Sequence, residues 1–267
     1  MQFYKKFDSD YLQGRGIADR VIKDYDIGYA PGGTKLKEYL NALSFSDEQL
    51  LDAGVIVERK GELRDYFYYC VVIPIVKNGL IVDLYGRHVK DGNVKHMYLY
   101  GNHISFHLDK INPKLPLIIV ESIINALTLI SHGITNVMAT GGALFDKRHA
   151  RQIKAKGVTK AYVGYDTGDI NGAGKKAAII AGKLLEDHSI EASIIQMPRD
   201  TDINELFIRF EFALEKMRRM ILEAKPVLEF ELEFLLDQMP IEWVEKYLLT
   251  RRDSRSIVHD EVTTEVI

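Results

Sequence analysis

The sequence predicts an α/β protein, with an α+β N-terminal part, a parallel βα sheet in the middle and helices towards the C-terminal end. Three observations predict it. Between residues 115 and 197, short apolar runs alternate with helix-patterned segments, the rhythm of βαβ units around a parallel sheet. Upstream, residues 55–108 are rich in β-branched and aromatic side chains and carry the dipeptide Asn78-Gly79, a strong hairpin signal. Downstream of Ile203 the apolar spacing is that of helices.

Taken in order, residues 1–40 read as short helices, broken at Pro31-Gly32-Gly33. Ser46 stands ahead of Asp47–Leu51 as an N-cap, and Gly54 stops that helix. Tyr66–Val76 and Leu80–Tyr85 read as strands joined at Asn78-Gly79, and Asp91-Gly92 marks a second turn. Asn112-Pro113 begins the connection into the sheet. There the pattern predicts strands at 117–120, 135–139, 160–165 and 190–196, with helices at 122–132, 146–156 and 174–187. The helical pattern from Ile203 to about Thr250 is broken by Pro226 and Pro240, and Arg251–Ile267 is polar and aperiodic, a tail or a partner-binding peptide. The expected divisions are 1–110, 111–203, 204–250 and a tail at 251–267. No internal repeat or low-complexity tract is visible.

Composition narrows the function classes. A chain of 267 residues, 46% apolar, holds one large domain or two modest ones. No apolar run reaches the ~20 residues of a membrane span, and the start MQFYKKFDSD lacks the apolar core of a signal peptide. The expected location is the cytoplasm, with no membrane partner. The single cysteine, Cys70, builds neither an intrachain disulfide nor a thiolate zinc site. Net charge −3 and a pI near 6.3 argue against strong nonspecific duplex binding, although a local basic groove is compatible with them.

The informative residues are acids at strand ends. Leu117–Val120 closes on Glu121, and Ala161–Tyr165 closes on Asp166, with Asp169 three residues on. In an open parallel sheet both strand ends emerge on the edge where ligands bind. Three carboxylates gathered there are costly without a cation, and hard oxygen donors suit Mg²⁺ or Mn²⁺. On its own, Glu121 reads either as an acid near a helix start or as a site residue. Asp169 reads either as a third ligand or as part of a solvent-facing loop, Asp169–Gly172. Asp202 precedes a helix and caps it whatever else it does. Gly172-Ala173-Gly174-Lys175 suggests a phosphate loop, but the first glycine position is Asp169 and Lys176 replaces the Ser or Thr. Lys77, Arg87 and Lys95 stand among Tyr85, Tyr98 and Tyr100, cations for phosphates and rings for base stacking along a single strand. A solvated strand face accounts for them equally well. His88, His96, His103 and His107 fit no zinc spacing and read as surface or polar-network residues.

The strand-end acids, with Ala139-Thr140-Gly141-Gly142 as the turn after the second strand, resemble the Toprim domain. The resemblance extends to the catalytic core of DnaG-type bacterial and phage primases. Tyr11-Leu12, Arg15-Gly16-Ile17 and Ile27–Pro31 are similar to the opening of that core. Asp52-Ala53-Gly54, Asp65-Tyr66-Phe67, Ile73-Pro74-Ile75, Gly86-Arg87 and Lys95 follow in the same order, and Arg199–Asp202, Ala224–Pro226 and Glu229-Phe230 continue it. The likeness runs from about residue 10 to 235. It departs from the family in three places: the acids at 166 and 169 are three apart instead of two, Asn125 stands where an acid is common, and aromatics with Cys70 replace arginines around Tyr66–Cys70.

The resemblance implies Glu121 as the catalytic residue and metal ligand, Asp166 and Asp169 as further ligands, and Asp200 with Asp202 as a second acidic pair. It implies a metal-dependent nucleotidyltransferase that synthesises short RNA primers on single-stranded DNA in replication, with ribonucleoside triphosphates as substrates. The nucleic-acid contacts are expected at Lys77, Arg87 and Lys95. The family's N-terminal Cys/His zinc module has no counterpart in this sequence, so the resemblance leaves two expectations, a separate zinc-binding subunit or a protein that works without the module, and it implies a replicative helicase as a further partner. Two alternatives remain: a Toprim metal-dependent nuclease, and a catalytically weakened DNA-binding subunit of a phage or mobile-element replication system.

Overall fold

The computed structural model describes residues 1–7, 10–90, 95–101, 105–142 and 144–239. After a 3-10 turn at Tyr4–Lys6, helices α1 (Tyr11–Gly14) and α2 (Asp19–Asp24) lead to strand β1 (Gly28–Ala30). Helices α3 (Lys35–Asn41) and α4 (Asp47–Asp52) follow, then a hairpin of β2 (Ile56–Arg59) and β3 (Glu62–Asp65). Ser46 caps α4 as expected, in a reciprocal capping box with Gln49. The N-terminus of α3 is satisfied from a distance: the buried Asp65 carboxylate accepts from the N–H groups of Leu36 (2.9 Å) and Lys37 (3.0 Å).

Strands β4 (Cys70–Lys77), β5 (Leu80–His88) and β6 (His96–Tyr98) join β1 in an antiparallel sheet of order β1-β4-β5-β6. Asn78 and Gly79 form the β4–β5 turn with φ of 53° and 76°, the positive pair that a type I′ hairpin turn requires. The short β1 lies inside a region read as helical. Three residues carry no periodicity of their own, and β1 exists because Gly28, Tyr29 and Ala30 pair with Val72, Val71 and Cys70. The Asp91-Gly92 turn and His103 lie outside the described residues.

The second sheet is built from β7 (Leu117–Val120), β8 (Val137–Ala139), β9 (Lys160–Gly164) and β10 (Glu191–Ile194), all parallel where they pair. Helix α5 (Ile123–Ser131) connects β7 to β8, α6 (Lys147–Ala155) connects β8 to β9, and α7 (Ala173–Glu186) connects β9 to β10. After β10 come α8 (Ile203–Arg209), α9 (Ala213–Leu222), β11 (Lys225–Pro226) and α10 (Val227–Leu236). The expected strands and helices of this sheet are present: β7 has the expected bounds, α7 is shifted by one residue, and the others are shorter by one to three residues. Pro226 does more than interrupt a helix: with Lys225 it adds an antiparallel edge strand to β10 and then stands at the N-cap position of α10. An edge position tolerates proline, which has no N–H to give. Residues from Pro240 on, including the expected end of the helical segment and the tail, lie outside the described residues.

The strand order is β11-β10-β9-β7-β8. Leaving β7 the chain moves to one side, and after β8 it crosses back to β9 on the other. The crevice between the carboxyl ends of β7 and β9 is therefore a topological switch point. The two sheet faces carry separate cores. Helix α6, α7 and α10 residues pack on one with Ile119, Ala161 and Val163. On the other, α5, α8 and α9 pack with Ile118 and Val120, and this cluster runs on into Leu12, Ile17, Val71, Ile73 and Tyr85 of the N-terminal half. A further cluster fills the far face of the N-terminal sheet around Phe67, Cys70 and Val72. No helix among the described residues is long and apolar enough to cross a membrane.

Candidate active site

The switch-point crevice opens into a cleft of about 450 Å³ between the two sheets. On its parallel-sheet side stand Glu121, Asp166, Asp202 and Glu205. Glu121 leaves β7 one residue before Ser122, whose Oγ accepts from the Asn125 N–H (3.0 Å) and caps α5. Strand exit and helix cap together fix the Glu121 backbone. Burial, then the Asp169 charge, pushes the Glu121 carboxyl above the usual carboxylate range. Asp166 leaves β9, and the loop behind it is anchored by the buried Thr167 hydroxyl, which donates to the Ile195 carbonyl (3.0 Å) and accepts from the Met197 N–H (2.7 Å). Its carboxyl is pushed up to about 7 by burial, with Asp202, Glu121, Asp169 and Glu205 adding to the effect. Its Oδ1 is buried with no hydrogen-bond partner.

Asp169 does not face solvent as a free loop. Its Oδ2 accepts from the N–H groups of Ala173 (2.7 Å) and Gly174 (3.2 Å) and satisfies the start of α7. Its Oδ1 is buried and unpaired. It lines a separate depression with Lys175 and Arg199, adjacent to the cleft. The second of the two widely spaced acids is thus used in helix capping. Asp202 caps α8 through Oδ1, accepting from the Glu205 N–H (2.7 Å), and still faces the cleft. Asp200 is exposed, with φ of 47° and its carboxylate 3.6 Å from Arg199, and does not line the cleft. The loop carrying Asp166–Asp169 rests directly on this segment: Gly168 accepts from the Asp200 N–H (3.0 Å), and a Cβ at Gly168 would lie 1.9 Å from the Pro198 carbonyl oxygen. Gly168→Ala is therefore expected to cost about 2–4 kcal/mol and lower the Tm by roughly 5–15 °C; an unchanged melting curve would contradict this packing.

The opposite wall comes from the N-terminal half: Tyr11, Arg15, Tyr85, Arg87, His96 and Tyr98. Arg87 donates from Nε to the Tyr11 hydroxyl (3.1 Å) and from a guanidinium N–H to His96 Nε2 (3.0 Å). Arginine only donates, so Nε2 is the acceptor and Nδ1 carries the proton towards the Tyr85 oxygen at 2.9 Å. Burial, with the Arg87 and Lys95 charges, holds His96 below its ordinary value and favours this neutral form. His96 is thus a polar-network residue, as its spacing suggests, as is the buried His107 on the Val137 carbonyl (2.7 Å). The Tyr98 hydroxyl donates to the Gly141 carbonyl and joins the two walls.

Arg15 bonds Asn204 Oδ1 (3.1 Å), while Asn204 Nδ2 donates to the Arg15 carbonyl (2.7 Å) and Thr128 Oγ1 (2.8 Å). Asn125 accepts from the Asn204 N–H (3.1 Å). The neutral amide at 125 is thus a structural acceptor, and the Arg15 charge lies near Asp202 and opposes the rise in its pKa, which burial causes. Of the three cations expected along a strand path, only Arg87 lines the cleft. Arg87 pairs with Val71 across the sheet, and Lys77 is six residues further along β4, about 20 Å away at the usual rise. Lys95 is exposed, with its carbonyl accepting from His88. Arg15, Asn204 and Glu205 were not singled out as site residues from the sequence. Arg15 shares a helical face with Tyr11, four residues earlier, its guanidinium 5.5 Å from that ring.

Among the described residues, no three His, Cys, Asp or Glu side chains are close enough to hold an ion as they stand. In donor type the edge nevertheless fits a hard divalent cation. Asp166 and Asp169 each carry a buried oxygen without a donor, and Asp166 is surrounded by four other carboxylates that raise its proton affinity. Glu121 and Asp166 are the residues that could hold it.

Comparison with known proteins agrees with this geometry. A family model of the DNA primase catalytic core, N-terminal domain, matches residues 3–106, and a Toprim-like model matches residues 118–207. The DNA primase of Aquifex aeolicus is 32% identical over 226 residues, covering 80% of this chain and 44% of the relative. That of Clostridium acetobutylicum is 24% identical over 277 residues, covering 97% and 45%. The chain thus spans about half the length of these relatives. Among solved structures, the Aquifex aeolicus primase zinc-binding and RNA polymerase domains align with a TM-score of 0.72 at 29% identity, covering 86% of this chain and 58% of that one. The RNA polymerase domain of Mycobacterium tuberculosis primase, in complex with double-stranded DNA, shares the fold with a TM-score of 0.76 at 20% identity, covering 94% and 86%. An N-terminal primase-core region, a Toprim-like region after it, and relatives and folds that span both make this chain a member of the DnaG-type primase catalytic-core family.

Proposed function

We propose that the cleft catalyses template-directed nucleotidyl transfer, joining ribonucleotides into short primers on single-stranded DNA. The observation that carries this reading is the two-sided cleft: carboxylates at the β7–β9 switch point face Arg15, Arg87 and a group of tyrosines on the other sheet. In the step itself a 3′-hydroxyl oxygen attacks the α-phosphorus of an incoming nucleotide. A P–O bond forms, the bond to pyrophosphate breaks, and the hydroxyl proton passes to Glu121. Glu121 and Asp166 would hold Mg²⁺ or Mn²⁺, which when bound would neutralise charge at the phosphates and lower the pKa of the attacking hydroxyl. Arg15 and Arg87 hold phosphates, and Tyr11 and Tyr98 offer ring faces to bases. A DnaG primase catalytic domain bound to single-stranded DNA shares this fold at 21% identity, which supports a DNA template as partner. Residues 1–110 then grip template and nucleotide, and 111–203 carry the chemistry in the cytoplasm, with a helicase and a zinc-bearing subunit as further partners.

Template grip at Arg87 has its own test. Arg87→Ala is expected to weaken single-stranded DNA binding by about three- to tenfold and to reduce the log–log salt slope by ~0.7, one phosphate contact. Anisotropy titrations at several salt concentrations read both, and an unchanged slope counts against Arg87 as a phosphate contact.

The rival reading, a catalytically weakened DNA-binding subunit, is favoured by one observation: among the described residues, three carboxylates are not gathered into a ready cage. Primer synthesis with labelled ribonucleotides decides between them, over a panel of templates, with Mg²⁺ and with Mn²⁺, and with or without a zinc-bearing partner. Primers support the polymerase, cleavage of a labelled strand supports a nuclease, and neither leaves the weakened subunit.

A further inference from the structure

Asn204 is 1% exposed and holds Arg15 by both side chain and backbone. Its Nδ2 donates to the Arg15 carbonyl (2.7 Å), and its Oδ1 accepts from the Arg15 guanidinium (3.1 Å). The orientation of this amide is forced. The Thr128 hydroxyl donates its hydrogen to the Ile124 carbonyl (2.8 Å). Thr128 Oγ1 and the Arg15 carbonyl therefore both offer lone pairs to Asn204, and only its NH₂ group serves both. Oδ1 is left for the guanidinium. The Asn204 N–H is in turn held by Asn125 Oδ1 (3.1 Å). Arg15 follows α1 as its C-cap, and Gly16 after it has φ of 71°, a left-handed turn that suits glycine. The Tyr11 ring lies 5.5 Å from the guanidinium. A long side chain with many rotamers is thus fixed on the wall of the cleft.

We propose that Asn204 is a positioning residue, which fixes Arg15 as the grip on the triphosphate of the incoming nucleotide. This role rests on the polymerase reading above and divides the work between the two arginines of the cleft. Arg87 is tied to Tyr11 and His96, within the N-terminal half. Arg15 is tied instead to α8, the helix that brings Asp202 and Glu205 to the cleft. Its charge lies near Asp202. A ligand that meets Arg15 in the cleft therefore also meets the carboxylate edge, where Glu121 and Asp166 could hold a cation. A triphosphate satisfies both sides at once, because its adjacent anionic oxygens serve a guanidinium fork and a hard cation together. Phosphates along a DNA strand carry one charge each and stand a nucleotide apart. The bond to Asn204 uses one of the several N–H donors of the guanidinium.

The probe is α,β-methylene-ATP with Mg²⁺ and no template, titrated calorimetrically into the full chain. Its methylene bridge cannot be displaced, so the result does not depend on turnover. The wild type is expected to bind it saturably and at least about tenfold more tightly than AMP, the scale of one charge-assisted contact. Asn204→Ala is expected to weaken this binding by about tenfold. Single-stranded DNA affinity and its salt slope, read by anisotropy, are expected to stay unchanged in the same variant. Asn204→Asp keeps the size of the side chain and sets a carboxylate against the guanidinium, so it is expected to weaken the triphosphate likewise. Arg15→Gln, at a half-buried position, is expected to cost about tenfold or more by itself. In that background Asn204→Ala is expected to add nothing, because it acts through Arg15, whereas a merely structural Asn204 would add its full effect. If neither Asn204 variant folds, Arg15→Gln decides the matter by the same pair of titrations. The proposal is overturned if AMP binds as tightly, if the substitutions leave α,β-methylene-ATP binding unchanged, if DNA binding falls equally, or if the two effects add. Primer synthesis by the wild type beside any of these results removes this role alone and leaves the polymerase reading standing.

Discussion

Glu121→Gln is expected to abolish dinucleotide formation while leaving single-stranded DNA binding nearly intact. The substitution keeps the size and most hydrogen bonding of the side chain. It removes both the charge that a divalent cation needs and the group that takes the hydroxyl proton. Interactions of this kind supply several kcal/mol in phosphoryl-type transfers, so a loss of about 10³-fold or more is expected. DNA binding survives because the basic and aromatic wall belongs to the other sheet, with Arg87 held by Tyr11 and His96 and not by Glu121. Primer assays and anisotropy on the same preparation read both quantities. A variant that still makes dinucleotides at the wild-type rate would remove Glu121 from the chemistry.

Asp166→Asn is expected to stabilise the metal-free protein at pH 8 and to inactivate it. Burial and neighbouring carboxylates raise the folded-state pKa from 3.8 to about 7. The folded state therefore holds this proton more tightly than the unfolded chain does. Between about pH 4 and 7 the wild type loses stability as Asp166 is forced to ionise in place, and above 7 the loss is complete. Asparagine never ionises, so its advantage is nil near pH 4 and full at pH 8. The pKa difference sets an upper limit of ~4 kcal/mol, and partial solvent access reduces this to about 1–3 kcal/mol. The Tm gain at pH 8 in EDTA is then about 3–10 °C. Added Mg²⁺ or Mn²⁺ should raise the Tm of the wild type and not that of the variant. Identical melting curves at pH 8 in EDTA would show that Asp166 is not crowded.

Sequence made the strand-end acids legible because Leu117–Val120 and Ala161–Tyr165 are apolar runs that end sharply in a charge. The α4 cap at Ser46 and the Asn78-Gly79 turn were legible for a similar reason: each is a local rule satisfied within four residues. The strand order was not. Nothing near Glu121 records that β9 lies beside β7 on the side opposite β8, yet that order is what makes the crevice. The strands β1 and β11 are two or three residues long and exist only through distant partners. Arg15 and Asn204 meet across 189 positions. Asp169 could be read as ligand or loop because its use, capping α7, depends on where the helix begins. Lys77 reads as equivalent to Arg87 because both lie in the same strand-patterned stretch with its tyrosines, and only the strand geometry puts the two at opposite ends of a hairpin.

The apolar cluster that holds Leu12 and Val71 together with Ile123, Ile203 and Met217 forms the shared floor beneath both walls of the cleft. Neither wall is therefore an exchangeable part. A chimera that joins the first hundred residues of one relative to the remainder of another inherits two half-floors that were never fitted to each other, and its cleft width changes with the mismatch. For the same reason heating should release both walls in a single cooperative transition. Evolution along this chain can alter cations and acids one at a time, but it must change the spacing between them from underneath.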